Sequence, residues 1–345
     1  MAIVYSMQLG MTGSSSGSRS PASPSSPAPP SAPTPAPAPR CGHEPGSGLY
    51  WEHVGEPTSR ATPWLLIPGG GATGACFRAT LTGQVGWADR LAASGIACWV
   101  TDWPGVGRSG GPDPLALGYE DLVDGYEALL RELIRRPVIV LCHSMGGAIT
   151  WALAERAREL VAGVVAVAAS YPGNIQPPSE LLQRDDASVR IRFAASGVEF
   201  TVRTDREYRY DDDYLLVQGI AGSTRFPRDR LDAFRASLVG IPPRVLLQRL
   251  GFEGGLPRVL DPTRLRDLPV LLVHGSEDPA HTPAIERATF ALLESWGARP
   301  RLLSLAEHGV TGNGHFLYAE ENADEVLAVL WAATREHFGT RIIDG

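Results

Sequence analysis

From about Gly48 onward, short runs of apolar and β-branched residues alternate with longer stretches whose apolar positions recur every three or four residues. This alternation predicts a mostly parallel sheet covered by helices. Strands are expected over residues 63–67, 97–101, 138–141, 161–169 and 269–274. Helices are expected over 83–94, 119–135 and 148–160, and the second of these carries Leu122, Tyr126, Leu129, Leu130 and Ile134 at helical spacing.

The pattern breaks between Tyr171 and about Pro262, where charge rises and strand signals fade before the strand at 269–274 restores the rhythm. A gap this long between core strands is too long for loop alone, and 228–238 and 243–250 read as helices. The expected organisation is a tail over 1–45, a core made of 46–170 and 263–345, and a largely helical lid over 171–262, inserted after the sixth strand. The lid could also serve as the contact of a homodimer. Residues 11 to about 40 are almost entirely Ser, Pro, Ala, Gly and Thr, a composition with too little apolar surface to offset the entropy of ordering, so this stretch is expected to be disordered.

Composition adds exclusions. The chain has 345 residues, 43% of them apolar, and a net charge of −7. It has no basic cluster with interleaved aromatics, which argues against nucleic acid as a partner. All 31 basic residues are arginine, which carries no functional meaning here. No stretch is long enough to span a bilayer, and the apolar start lacks the positive charge of a signal peptide, so a cytoplasmic location is the default, with secretion left open. Cys41, Cys76, Cys98 and Cys142 lack paired spacing and read as structural thiols, with a Cys41–Cys76 bridge left open. The histidines show no metal-ligand spacing, so neither metal nor organic cofactor is expected.

The segment Val138-Ile139-Val140-Leu141-Cys142-His143-Ser144-Met145-Gly146-Gly147 runs an apolar strand directly into a serine backed by glycines. That is the pattern of a nucleophile elbow, a sharp strand-to-helix turn that admits only small residues two positions before and after the serine. Gly146 satisfies this demand, and Cys142 replaces the usual first glycine. Serine needs a base to take its proton, and the base needs a carboxylate to orient it. Asp278, in Gly275-Ser276-Glu277-Asp278-Pro279 after a late strand, and His315, in Gly312-Asn313-Gly314-His315-Phe316, supply these groups downstream. Glu277 is a rival acid, and His308 and His281 are rival bases. The glycine loop Pro68-Gly69-Gly70-Gly71-Ala72-Thr73-Gly74 can turn amides inward, and the backbone N–H groups of Gly70 and Met145 are the expected oxyanion hole. Removing one such donor raises a barrier by about 3 to 4 kcal/mol.

With these motifs in place, residues from about 49 to 338 resemble the α/β-hydrolase superfamily. Pro68 to Phe77 with Gly86-Trp87, Thr101-Asp102 through Ser109, and Ser304-Leu305 through His315 are similar to a small group of bacterial esterases known for a vicinal cysteine pair in the oxyanion loop. This chain has Gly70 and Gly71 in place of that pair. It also has Tyr171, before Pro172-Gly173, where those esterases carry the triad glutamate, which returns the acid role to Asp278 and leaves Glu180 a distant candidate.

The resemblance implies an α/β-hydrolase fold and a serine hydrolase that cleaves a small-molecule carboxylic ester through an acyl-enzyme on Ser144. Acyl transfer, or cleavage of lactones, amides or carbon–carbon bonds, would use the same three residues. A non-catalytic binding protein on the same fold is the alternative of a different class.

Overall fold

A computed structural model describes residues 40–193, 197–211, 215–281 and 283–344. In chain order its strands are β1 (Arg40–His43), β2 (Tyr50–Val54), β3 (Trp64–Ile67), β4 (Cys98–Thr101), β5 (Val138–His143), β6 (Val161–Val167), β7 (Glu180–Arg184), β8 (Ser188–Arg192), β9 (Glu199–Arg203), β10 (Pro269–Val273) and β11 (Arg299–Leu303). The helices used below are α1 (Trp87–Ala93), α2 (Tyr119–Ala128), α3 (Gly146–Arg156), α4 (Leu231–Ser237), α5 (Pro243–Arg249), α6 (Pro283–Ser295) and α7 (Ala323–Phe338).

Among the described residues, eight strands form one sheet in the order β1-β2-β4-β3-β5-β6-β10-β11. The run from β4 to β11 is parallel, and β1 and β2 join antiparallel at one edge. Central strands β3, β5 and β10 are buried along their whole length because helices cover both faces, so they read as continuous apolar runs. Val138 and Val140 pack with Leu122, Tyr126 and Leu153 of α2 and α3, while Ile139 and Leu141 face Trp87, Leu91 and Leu330 of α1 and α7. The expected strands and the mostly parallel α/β sheet are therefore found.

Several boundaries differ from expectation for identifiable reasons. The expected tail over 1–45 is too long: Arg40–His43 pairs antiparallel with Tyr50–Val54, and Glu44 closes the turn by accepting from the amides of Gly46 and Ser47. The rest of that stretch, and with it most of the expected disordered segment, lies outside the described residues. Helix α1 starts at Trp87 rather than near Gly83, because Thr80 and Gln84 bond each other across a turn and the Gly86 amide is held by Arg78 O. The α2 pattern continues through a π-helical turn, Leu129–Ile134, and stops at Arg135 with φ 55°.

The insertion between β6 and β10 is not largely helical. Beside α4 and α5 it holds a three-stranded antiparallel sheet, β7-β8-β9. In β8 and β9, Val189, Ile191, Phe200 and Val202 point inward while arginine, glutamate and threonine alternate outward. Strands this short carry only a few apolar positions each, so their period of two is weak in the sequence. Arg190 and Arg192 then pair with Glu199 on the neighbouring strand, which turns the charged faces into cross-strand contacts.

One buried carboxylate ties the sheet edge to the loops above it. Asp102, directly after β4, accepts from the Gly74 amide at 2.8 Å, from the Arg108 amide at 2.8 Å and from Arg108 Nε at 2.9 Å. It thereby locks both the glycine loop after β3 and the glycine turn over 103–109. Asp102→Ala leaves the Gly74 and Arg108 amides without their acceptor, while the partly exposed Arg108 keeps Glu52, and is expected to lower unfolding free energy by about 2 to 4 kcal/mol. Urea unfolding checks this, and a loss within about 0.5 kcal/mol, as at an ordinary surface site, contradicts it.

Candidate active site

Strand β5 ends at His143 and α3 begins at Gly146, so Ser144 and Met145 must make the turn between them. Ser144 takes φ 48°, a left-handed conformation that costs a side-chain-bearing residue about 1 to 3 kcal/mol. The surroundings impose it. Its amide donates to Val167 O at 3.1 Å, and its carbonyl accepts from the amides of Gly147 at 2.9 Å and Ser170 at 2.8 Å. A Cβ on Gly146 would stand 2.7 Å from Pro68 O, and one on Gly147 would stand 2.6 Å from Ser170 O. Cys142 fits two residues before the serine because its side chain is wholly inside the core, where burial pushes the thiol up to about 12.

The three predicted side chains meet. His315 Nε2 lies 2.9 Å from Ser144 Oγ, and His315 Nδ1 lies 2.8 Å from Asp278 Oδ2. Burial pushes the Asp278 carboxyl up, but the neighbouring His315 and His281 and the Ala280 amide outweigh it and hold the group well below the usual carboxylate range. An ionised Asp278 can only accept, so Nδ1 carries the proton and the Nε2 lone pair faces the serine hydroxyl.

The loops bearing the acid and the base are built as one unit. The Glu277 amide donates to Asn313 O at 2.9 Å, and a Cβ on Gly275 would meet Asn313 O at 2.2 Å. Glu320, buried by the first turn of α7, accepts from the Gly314 amide at 2.7 Å, Ser223 Oγ at 2.6 Å and Asn313 Nδ2 at 2.6 Å. Burial, the largest influence, raises its pKa. His143 Nε2 donates to His315 O at 2.9 Å, which pins the residue that carries the imidazole to the strand that carries the serine. Neither Glu320 nor His143 was singled out by the sequence, because each acts through contacts made only after folding.

The rivals fall elsewhere. His308 and Glu277 are exposed, and Glu180 is exposed on β7, paired with Arg192. His281 is buried and stacked on His315, with ring centroids 5.4 Å apart and planes 17° apart, but its Nδ1 bonds Glu286 Oε1 at 3.2 Å. Asp278, His281 and His315 each offer a ligand atom within 4.8 Å of the others. Imidazole lone pairs lie in the ring plane, so near-parallel stacked rings do not aim them at one point, and both nitrogens of His315 are already engaged. The four cysteines are free thiols, so Cys41 and Cys76 are not bridged.

The glycine loop passes directly over the elbow. A Cβ on Gly69 would meet Ser144 Cβ at 2.9 Å, and one on Gly70 would meet Met145 Sδ at 2.3 Å. Among the described residues, the amides of Gly70 and Met145 have no protein acceptor, as expected for a helix N-terminus and a glycine turn. The space above Ser144 is a narrow cavity of about 50 Å³, walled by Phe193, Phe200, Tyr210, Leu246 and Arg249 of the insertion. Val239 of the insertion also donates to Gly71 O at 2.9 Å, so the two layers are joined at the loop. No helix of the described residues is long and apolar enough to cross a membrane.

Comparison with known proteins finds the same fold and the same family. The fungal protein named "Probable secreted lipase phiG" (Fungal sp., strain ATCC 74256) is 23% identical over 336 residues, covering 81% of this chain and 83% of its own length. A thermophilic esterase from Thermogutta terrifontis shares the fold with a TM-score of 0.55 at 17% identity, over 84% of this chain and 94% of that one. An N-acyl homoserine lactonase, AidH, also superposes with a TM-score of 0.55 at 17% identity, over 87% and 97%. The family model described as "Alpha/beta hydrolase family" matches residues 64–329, from β3 into α7, and this chain belongs to that family.

Proposed function

We propose that this chain is a serine hydrolase that cleaves carboxylic esters through an acyl-enzyme on Ser144. The observation that carries the reading is the pair of hydrogen bonds linking Ser144 Oγ, His315 and Asp278, at 2.9 and 2.8 Å. As Oγ attacks the ester carbonyl, its proton passes to Nε2, and the ionised Asp278 stabilises the imidazolium that forms. The amides of Gly70 and Met145 receive the negative charge that develops on the carbonyl oxygen. The imidazolium then protonates the departing alcohol, and in the second half His315 takes a proton from the water that releases the acid.

The insertion over 171–262 acts as the lid: its side chains wall the space over the serine, which limits water and shapes the substrate site. The names of the similar proteins, a probable lipase, an esterase and a lactonase, each denote acyl–oxygen cleavage, which favours an ester or lactone over an amide. A purely binding role would leave no reason for Glu320 and His143 to fix the imidazole against the hydroxyl.

Turnover of a short-chain nitrophenyl ester tests the reading. Ser144→Ala is expected to lower kcat/KM by about 10⁴-fold or more, and Asp278→Asn by about 10³- to 10⁴-fold. Equal rates in wild type and Ser144→Ala contradict the hydrolase assignment.

A second expectation concerns His143. Burial, then the neighbouring His315, holds its imidazole well below the ordinary histidine range. The unfolded chain therefore binds a proton near pH 6.5 that the folded chain refuses, so this contribution to stability is complete above about pH 6.5 and is lost as pH falls below it. Relative to His143→Phe, wild type is expected to lose up to about 1.4 kcal/mol per pH unit in that window, measured by urea unfolding. Identical pH slopes in the two proteins contradict the buried neutral imidazole.

A further inference from the structure

Arg249, the last residue of α5, stands in the wall of the cavity that also holds Ser144, His281 and His315. Among the described residues it is the one arginine or carboxylate-bearing side chain in that wall. Its guanidinium lies over the rings of Phe193 at 4.7 Å and Tyr171 at 5.3 Å, and it donates to the Tyr171 hydroxyl at 3.3 Å. No carboxylate pairs with it among the described residues, whereas Arg244 on the same helix pairs with Glu120. None of its nitrogens is sealed from solvent without a partner, so the donors not bonded to Tyr171 stay accessible.

A guanidinium presents five N–H donors in a planar fork whose spacing matches a carboxylate. Two aromatic rings lie against this fork without neutralising it, which leaves a cation in the wall of the cavity that holds the reacting serine. Tyr171 belongs to the same device. Its hydroxyl accepts from Arg249 and, being uncharged, orients the cation without neutralising it.

We propose that Arg249 recognises a carboxylate on the substrate, so that the preferred substrates are short esters carrying a negative charge. This rests on Ser144 acting as the nucleophile. Arg249 and Ser144 line one cavity, so the acidic group and the ester are held in the same site. Apolar walls such as Leu246 and Phe200 contact the carbon chain, while the cation takes the anionic end.

Two substrate pairs locate the charge. On the acyl side, para-nitrophenyl hemiglutarate is compared with para-nitrophenyl pentanoate. On the alcohol side, para-acetoxybenzoate is compared with phenyl acetate. Wild type is expected to favour the anionic member of one pair by about 10- to 100-fold in kcat/KM, the range of a hydrogen bond to a charged group. Arg249→Gln is expected to lower that preference by at least about tenfold, mainly through KM, while Arg249→Lys restores part of it. Thermal melts of both variants establish that they are folded.

The inference is overturned if wild type prefers the anionic ester in neither pair, if it is inert towards all four esters, or if Arg249→Gln slows both members of a pair equally, as a packing role would require. Hydrolysis of all four esters at wild-type rate by Ser144→Ala would instead overturn the reading of Ser144. Turnover that is lost in Ser144→Ala but lacks anion preference removes only the role of Arg249.

Discussion

The site depends on a strained backbone at Ser144. A serine with φ 48° does not hold that conformation by itself. It is held because β5 is locked between β3 and β6 and because α3 starts so close to the neighbouring loops that Gly146 and Gly147 have no room for a Cβ. The same crowding brings Gly69 and Gly70 against Ser144 and Met145, which leaves two free amides beside the hydroxyl. The sheet thus supplies the rigidity, and the glycines supply the proximity that the proposed chemistry needs.

Around this fixed point the other groups are tied back to the strands. Asp102 fixes the glycine loop from the end of β4, His143 fixes the loop of His315 from β5, and Glu320 fixes it from just before α7. Each uses a buried polar side chain with a backbone partner, the kind of bond that is expensive to leave unmade. The imidazole is thereby held within hydrogen-bond reach of both the hydroxyl and the carboxylate.

Much of this was legible in the sequence. Fully buried parallel strands leave continuous apolar runs, and the tight elbow demands small residues at fixed positions, so β3 to β6, β10, Ser144, Asp278 and His315 all stand out locally. The rest depends on long-range meetings. The His143 to His315 bond joins residues 172 apart, and that from Arg249 to Tyr171 joins residues 78 apart. Neither has a local signature. The sheet within the insertion leaves little trace in the sequence because β7 to β9 are short and half polar, so that their alternation hardly differs from that of an exposed loop. Edge strand β11 escaped notice because Arg299, Pro300 and Arg301 look unlike core, and a proline is tolerated in a strand that has a neighbour on one side only.

The most direct measurement of the central claim is mass spectrometry of the protein after exposure to a fluorophosphonate, which captures a hydroxyl that is activated as a nucleophile. The account requires a single adduct on the peptide containing Ser144, formed rapidly in wild type and very slowly in His315→Ala. An adduct on another residue, or labelling of Ser144 at an unchanged rate in His315→Ala, would contradict it.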